Sequence, residues 1–134
     1  MGVNWGATRE PEWHVLDVAE GGSAGLASAR RWAEDKLTAL TEAERVDVVI
    51  VVGELLENAY VHATGPHQLR IHLARDPCEV TVAVADTGTG EPRLRVPGRS
   101  GGRGLLLVEE LSLAWGVSRH GEGKVVWAKL ACAG

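Results

Sequence analysis

The sequence has no phenylalanine, one tyrosine and one methionine among its 134 residues, so tryptophan takes over the aromatic part of any core. It also lacks an excess of positive charge. Its 14 lysine and arginine residues face 18 aspartate and glutamate residues, which gives a formal net charge of −4. Such a chain gains no long-range attraction to nucleic acid phosphates or to anionic lipids. We therefore expect neither a nucleic acid nor a membrane as partner.

No apolar run approaches the roughly 20 residues that a membrane-spanning helix needs, and the first residues lack the basic and apolar blocks of a signal peptide. These absences predict a cytoplasmic protein. The two cysteines, Cys78 and Cys132, have neither the spacing of metal ligands nor further cysteines around them. In a cytosolic protein this pattern indicates reduced, buried thiols.

The remaining composition is typical of a soluble globular protein, with 45% hydrophobic and 24% charged residues. A chain of this length fits one domain. Glycine, proline and asparagine near the start indicate a flexible N-terminal arm over residues 1–12. The folded domain is predicted over residues 13–134.

The first part of this domain has two clear periodicities. Alternation over residues 12–18 predicts a strand, with Trp13, Val15 and Val18 on one side. Leucine and alanine then recur at steps of three and four from residue 24 to about residue 40, which predicts an amphipathic helix packed on one face.

A second helix is predicted from a capping box, in which Thr41 and Glu44 each bond a backbone amide of the other. Residues 46–52 are β-branched and by propensity alone fit a strand, but good helix formers continue the segment. We interpret the whole segment as a helix that ends before Gly65 and Pro66.

The second half predicts four further elements. Residues 68–75 and 79–86 form a hairpin of two strands, residues 105–115 a short helix, and residues 114–130 two strands about a glycine-containing turn. The order β-α-α-β-β-α-β-β indicates the α+β class. We expect a two-layer α/β sandwich with one mixed, mostly antiparallel sheet covered on one face by three helices.

Three polar residues interrupt the second helix at every fourth position. Glu54, Asn58 and His62 advance about 40° per step, so they form one narrow stripe on a helix whose other faces are apolar. Solvation is the simple explanation, because a surface helix has a polar side. The alternative is a ligand groove beside the stripe, since an unpaired carboxylate is costly to bury.

Two glycine-containing segments follow the stripe. An apolar strand ends at Asp86 and is followed by Gly88 and Gly90, which suits a carboxylate that accepts from an exocyclic amine of a flat heterocycle. Aspartate and glycine also occupy ordinary turns. The segment "GRSGGRGLLLVEEL" then runs from glycines into a helix start, where free amides and the helix dipole suit phosphate. An ordinary flexible loop is the alternative there.

Together the motifs "ELLENAYVHA", "DTGTG" and "GGRGLLLVEEL" resemble the N, G1 and G2 boxes of the Bergerat-fold (GHKL) ATPases. The likeness is strongest to the small bacterial anti-sigma-factor serine/threonine kinases and related ATP-binding regulators. It extends over about residues 13–131. The resemblance implies ATP and Mg²⁺ as cofactors, with Asn58 as the metal ligand and Glu54 as the general base.

The resemblance also implies how the nucleotide is held. A carboxylate accepts from the adenine amine, glycines shape the pocket and lay amides along the phosphates, and arginines contact the phosphates. The residues in these roles are Asp86 for the amine, Gly88 and Gly90 for the pocket, Gly102 and Gly104 for the amides, and Arg99 and Arg103 for the phosphates. The chain departs from the family in its last strand, where Val125 and Val126 replace the usual threonine, and in the short nucleotide lid over residues 91–100.

The resemblance implies a protein kinase that phosphorylates a small anti-sigma-factor antagonist, with a sigma factor as another partner. The alternative function is a non-catalytic module whose partner surface depends on nucleotide. Homodimerisation stays open. Glu57 is interpreted as a solvated side chain, and His62 as a packing or capping residue.

Overall fold

A computed structural model describes residues 13–18, 22–62, 67–86, 104–120 and 123–133. The N-terminal arm predicted over residues 1–12 lies outside these ranges. The described elements follow the predicted order along the chain. They are β1 (Trp13–Val18), α1 (Gly22–Lys36), α2 (Glu42–His62), β2 (His67–Ala74), β3 (Glu79–Asp86), α3 (Gly104–Leu111), β4 (Ala114–His120) and β5 (Gly123–Ala131).

The five strands form one sheet in the order β1-β2-β3-β5-β4. Every neighbouring pair is antiparallel, so the predicted α+β fold is confirmed but the sheet is not mixed. The hairpins β2–β3 and β4–β5 pair through β3 and β5, which run in opposite directions. Alternate residues along the strands are buried on one common face, as in Val82, Val84 and Val126.

Helix α2 is the central helix of the fold, in contact with α1, α3 and β3. Its residues Val51, Val52, Leu55 and Leu56 are fully buried, so the helix interpretation of the β-branched segment is confirmed. Partners on several sides explain why this segment is apolar nearly all round.

The capping box at the start of α2 is also confirmed. The amide of Thr41 donates to Glu44 Oε1 at 2.9 Å, and the amide of Glu44 donates to Thr41 Oγ1 at 3.1 Å. The amide of Ala133, near the end of the chain, donates to Glu44 Oε2 at 2.6 Å. The start of α2 is therefore fixed to the segment that follows β5.

The prediction that Trp13, Val15 and Val18 share one side of β1 is wrong. Trp13 and Val15 are 48% and 49% exposed, whereas Val18 is buried and Leu16 packs against the core. The strand pairs Leu16 with the fully buried Leu69, and this register turns the even-numbered side chains inward.

Helix α1 ends at Lys36, four residues before the predicted end. The amide of Leu37 bonds the carbonyl of Glu34 at 3.2 Å, and the amide of Leu40 bonds the carbonyl of Leu37 at 3.0 Å, so the chain continues as tight turns. Both leucines remain buried, because these turns still direct their side chains into the core.

The interpretation of the cysteines as reduced thiols is also wrong. Cys78 and Cys132 form a disulfide, with their Cα atoms 5.1 Å apart. Pairing of β3 with β5 sets Glu79 opposite Ala131, and this brings together two cysteines that lie 54 residues apart in sequence.

Within the described ranges, no helix is both long and apolar enough to cross a bilayer.

Candidate functional site

The polar stripe of α2 is not explained by solvation. Asn58 is only 5% exposed and Glu54 is half-buried, whereas Glu57 one residue earlier than Asn58 is exposed. His62 is the last residue of α2, and its side chain lies outside the described part. A carboxamide is therefore held in the interior at the C-terminal half of the helix.

The C-terminal end of α2 lies beside the end of the sheet where Asp86 is found. The ring of Tyr60 lies 5.2 Å from the ring of His67, centroid to centroid. His67 is the register partner of Asp86 across β2 and β3. The structure thus brings the helix turn that follows Asn58 next to the strand end that carries the predicted acceptor carboxylate.

Three ionisable side chains form a row across the central strands at this end. His67, Asp86 and Lys124 are neighbours in register and are 7%, 6% and 2% exposed. Lys124 Nζ lies 3.6 Å from Asp86 Oδ1, an ion pair whose members are both buried. Among the described residues, neither Lys124 Nζ nor His67 Nδ1 has a hydrogen-bond partner.

Burial shifts the pKa values of two side chains in this region, His67 and Tyr60. Desolvation lowers the pKa of His67, Asp86 opposes that change with its negative charge, and Lys124 adds to it. Burial also raises the pKa of the Tyr60 hydroxyl. We therefore expect the imidazole to be neutral near pH 7.

His67 and Lys124 lie outside the three motifs that predict the site. A signal for each was present, because each continues a row of buried apolar side chains at every second position of its strand. Lys124 precedes Val126 and Ala128 in that row. A charged residue in phase with core residues is unusual enough to indicate a site.

A cavity of about 410 Å³ opens at these strand ends. Its described lining consists of Arg70, Ala85, Asp86, Gly123, Lys124 and Val125. The Arg70 guanidinium donates through Nε to Gln68 Oε1 at 2.8 Å, which holds the arginine along β2. The cavity is therefore bordered by apolar residues, one aspartate and two cationic residues, and Lys124 Nζ and Asp86 Oδ2 are themselves buried behind its surface.

Arg30 of α1 is a further residue that the sequence analysis missed. A β carbon at Gly53 of α2 would lie 2.6 Å from Arg30 Nη2 and 2.9 Å from its Nε. Glycine at this helical position lets the guanidinium lie against the backbone of α2, one residue before Glu54. This contact explains a glycine inside a helix, where it costs about 1 kcal/mol relative to alanine.

Several predicted site residues stay predictions. Gly88, Gly90, Arg99, Gly102 and Arg103 lie outside the described residues, and Gly104 is the first residue of α3. The described side chains contain no cluster of three histidine, cysteine or carboxylate groups that could hold a metal ion alone. Mg²⁺ bound through phosphates needs few protein ligands, so the buried Asn58 carboxamide, an oxygen donor, fits that ion.

The chain is similar to known proteins in sequence and in fold. The model of the family described as "Histidine kinase-like ATPase domain" matches residues 23–130. A solved structure of the RsbU and RsbW domains of Rv1364c from Mycobacterium tuberculosis is similar in fold, with a TM-score of 0.66 and 17% sequence identity. The match covers 89% of this chain and 32% of that chain, so this chain spans about a third of that protein's length. No curated protein matches the sequence.

Proposed function

Since this chain belongs to the family of histidine kinase-like ATPase domains, we propose that it binds ATP with Mg²⁺ and phosphorylates a serine or threonine of a protein partner. The observation that carries this proposal is the buried Asn58, one turn after Glu54 on a helix whose last turns lie beside the strand end that carries Asp86. In this proposal, the Glu54 carboxylate, the Asn58 carboxamide and the Asp86 carboxylate that accepts from the adenine amine line one cleft.

In this proposal Asp86 accepts a hydrogen bond from the adenine amine, and Gly88 and Gly90 shape the adenine pocket. Asn58 holds the Mg²⁺, which neutralises phosphate charge when bound. The remaining phosphate contacts come from the glycine-rich segment before and at the start of α3. They are the amides of Gly102 and Gly104 and the side chains of Arg99 and Arg103.

The role of Glu54 is to take a proton. The partner's hydroxyl oxygen forms a bond to the γ-phosphorus, and the bond from that phosphorus to the β–γ bridging oxygen breaks as ADP leaves. The hydroxyl proton passes to the Glu54 carboxylate. Positioning and charge neutralisation supply most of phosphoryl-transfer catalysis, so one base in an ordered cleft is sufficient machinery.

The partner class follows from the three motifs that resemble those of bacterial anti-sigma-factor kinases. We propose a small anti-sigma-factor antagonist as phosphoryl acceptor, a sigma factor as a second partner, and the bacterial cytoplasm as the location. The similarity in fold to a protein with RsbU and RsbW domains supports the choice of this partner class.

The test compares two glutamates of α2 that lie three residues apart. Wild type, Glu54→Gln and Glu57→Gln are each incubated with [γ-³²P]ATP, Mg²⁺ and a panel of purified anti-sigma-factor antagonist domains. We expect Glu54→Gln to label its acceptor about 100-fold more slowly or worse, because a general base contributes at least that factor. Glu57→Gln, altered at an exposed position, should label at the wild-type rate.

Calorimetric titration with MgATP separates binding from transfer. Both variants should bind MgATP with wild-type affinity. Equal labelling by wild type and Glu54→Gln would contradict the role of Glu54. Binding of MgATP by wild type without labelling of any acceptor would support the non-catalytic nucleotide-dependent module instead.

A further inference from the structure

Lys124 is the most deeply buried charged residue among those that the structure describes, at 2% exposure. An ammonium group in the interior is costly unless it is paired and hydrogen-bonded. Among the described residues, its one ion pair is with Asp86 Oδ1 at 3.6 Å, and Nζ has no hydrogen-bond acceptor there. The group has three donors, so it is poised to bond an acceptor that arrives with a ligand.

The location of Lys124 indicates which ligand supplies that acceptor. Lys124 is the register partner of Asp86 across β3 and β5, and both line the same cavity at the strand ends. A carboxylate beside an ammonium offers an acceptor and a donor side by side. The amine of adenine is a donor, and the ring nitrogen N1, which is bonded to the same carbon, is an acceptor.

We propose that Lys124 recognises the base of the bound nucleotide. Lys124 donates a hydrogen bond to the adenine ring nitrogen beside the amine, and Asp86 accepts one from the amine. This inference depends on the proposed function, in which Asp86 contacts adenine. It gives the last strand a polar contact with the base. A lysine that only balanced the charge of Asp86 would make no such contact.

The experiment uses analogues in which one ring nitrogen is replaced by carbon. Dissociation constants of ATP, 1-deaza-ATP and 7-deaza-ATP are measured with Mg²⁺ by calorimetry for wild type, Lys124→Met and Lys124→Gln. Wild type should bind 1-deaza-ATP about 10-fold or more weakly than ATP, because a hydrogen bond from a charged donor is lost, and should bind 7-deaza-ATP as it binds ATP. Lys124→Met should bind 1-deaza-ATP and ATP equally.

The conservative variant tests the role of the donor. Lys124→Gln retains a neutral N–H donor, so it should recover part of the discrimination between the analogues. Circular dichroism verifies that each variant is folded. If Lys124→Met does not fold, the analogue series on wild type together with Lys124→Gln still decides the question.

The outcomes separate this inference from the function on which it depends. Equal binding of all three nucleotides by wild type would overturn the role of Lys124 and leave ATP binding intact. Discrimination that persists unchanged in Lys124→Met would also overturn it. Failure of wild type to bind ATP at all would instead overturn the proposed function.

Discussion

The two ends of the central strands are built in opposite ways. Where β3 begins and β5 ends, the Cys78–Cys132 disulfide joins the segments next to the two strands. There the Glu44 carboxylate also accepts hydrogen bonds from two backbone amides. Where β3 ends and β5 begins, Asp86 and Lys124 are buried as an ion pair beside His67. Helix α2 connects these ends, with its capping box at the first and the turn that follows Asn58 at the second.

The difference concerns how polar groups are satisfied. Hydrogen bonds from the backbone amides of Thr41 and Ala133 lower the pKa of Glu44. At the disulfide end, the protein therefore supplies hydrogen bonds that stabilise the charged form of this carboxylate. At the other end, His67 Nδ1 and Lys124 Nζ lack hydrogen bonds to any described residue. Native proteins rarely leave buried polar atoms in that condition. We infer that the disulfide end stabilises the fold and that the opposite end is arranged for a ligand.

The largest predicted effect is at the disulfide end. Reduction of the Cys78–Cys132 bond, which joins residues 54 apart, should lower the free energy of unfolding by roughly 4 kcal/mol, because the unfolded chain regains loop entropy. Denaturant titration with and without dithiothreitol measures this loss. The affinity for MgATP, measured on the folded protein, should not change.

The matched control is the double variant Cys78→Ser/Cys132→Ser, whose stability should not respond to dithiothreitol. A reduced protein that kept its stability but lost nucleotide affinity would reverse the roles that we assign to the two ends.

A smaller loss of stability is expected from the buried ion pair. Asp86→Asn leaves the ammonium of Lys124 without its carboxylate and should destabilise the fold by roughly 3 kcal/mol. It should also abolish binding of MgATP, unlike any change at the disulfide end. Denaturant titration and calorimetry on the same samples give both values.

The double variant Asp86→Asn/Lys124→Met removes both charges and should recover most of the lost stability, because no buried charge remains. Additive losses in the double variant would show that the two side chains do not form a coupled pair.

The two ends also differ in how far the sequence predicts them. The capping box and the stripe of Glu54 and Asn58 follow from spacing along one helix, so they could be read locally. The disulfide and the pair of Lys124 with Asp86 depend on which strands are neighbours and in what register, and no spacing in the sequence contains that information.

Strand β1 shows the same limit on a smaller scale. Both of its sides are partly apolar, so alternation predicts the strand but not which side faces the core. Trp13 lies on the open face, where its ring stacks on His72 at 4.9 Å, and only pairing with β2 decides this.

A third prediction concerns the cap at the start of α2. Thr41→Ala removes the hydroxyl that accepts from the amide of Glu44, and should lower the free energy of unfolding by about 1 kcal/mol. Thr38→Ala, at an exposed threonine of the preceding turn, is the control and should change stability by less than about half that value. Affinity for MgATP should be unchanged in both. A loss of affinity in Thr41→Ala would mean that the two ends of α2 are coupled.

The smallest predicted effect separates the two ends by pH. Because burial lowers the pKa of His67, the folded protein binds a proton less readily than the unfolded chain, whose histidine titrates near 6.5. The stability that the neutral imidazole contributes is therefore complete above pH 6.5. It decreases as the pH falls from 6.5 towards the lower folded pKa.

The lowered pKa of Glu44 acts in another range, since its contribution is complete above its ordinary value of 4.5 and is lost only as the pH falls below that value. Of these two groups, only His67, at the site end, should titrate between pH 7.5 and 5.5. Denaturant titrations at the two pH values should therefore show a larger loss for wild type than for His67→Phe, which keeps an aromatic ring beside Tyr60 but cannot bind a proton. Asp86 and Lys124 are the charged groups that act on His67. Equal losses in the two proteins would mean that the imidazole is solvated and that the site end is not closed to water.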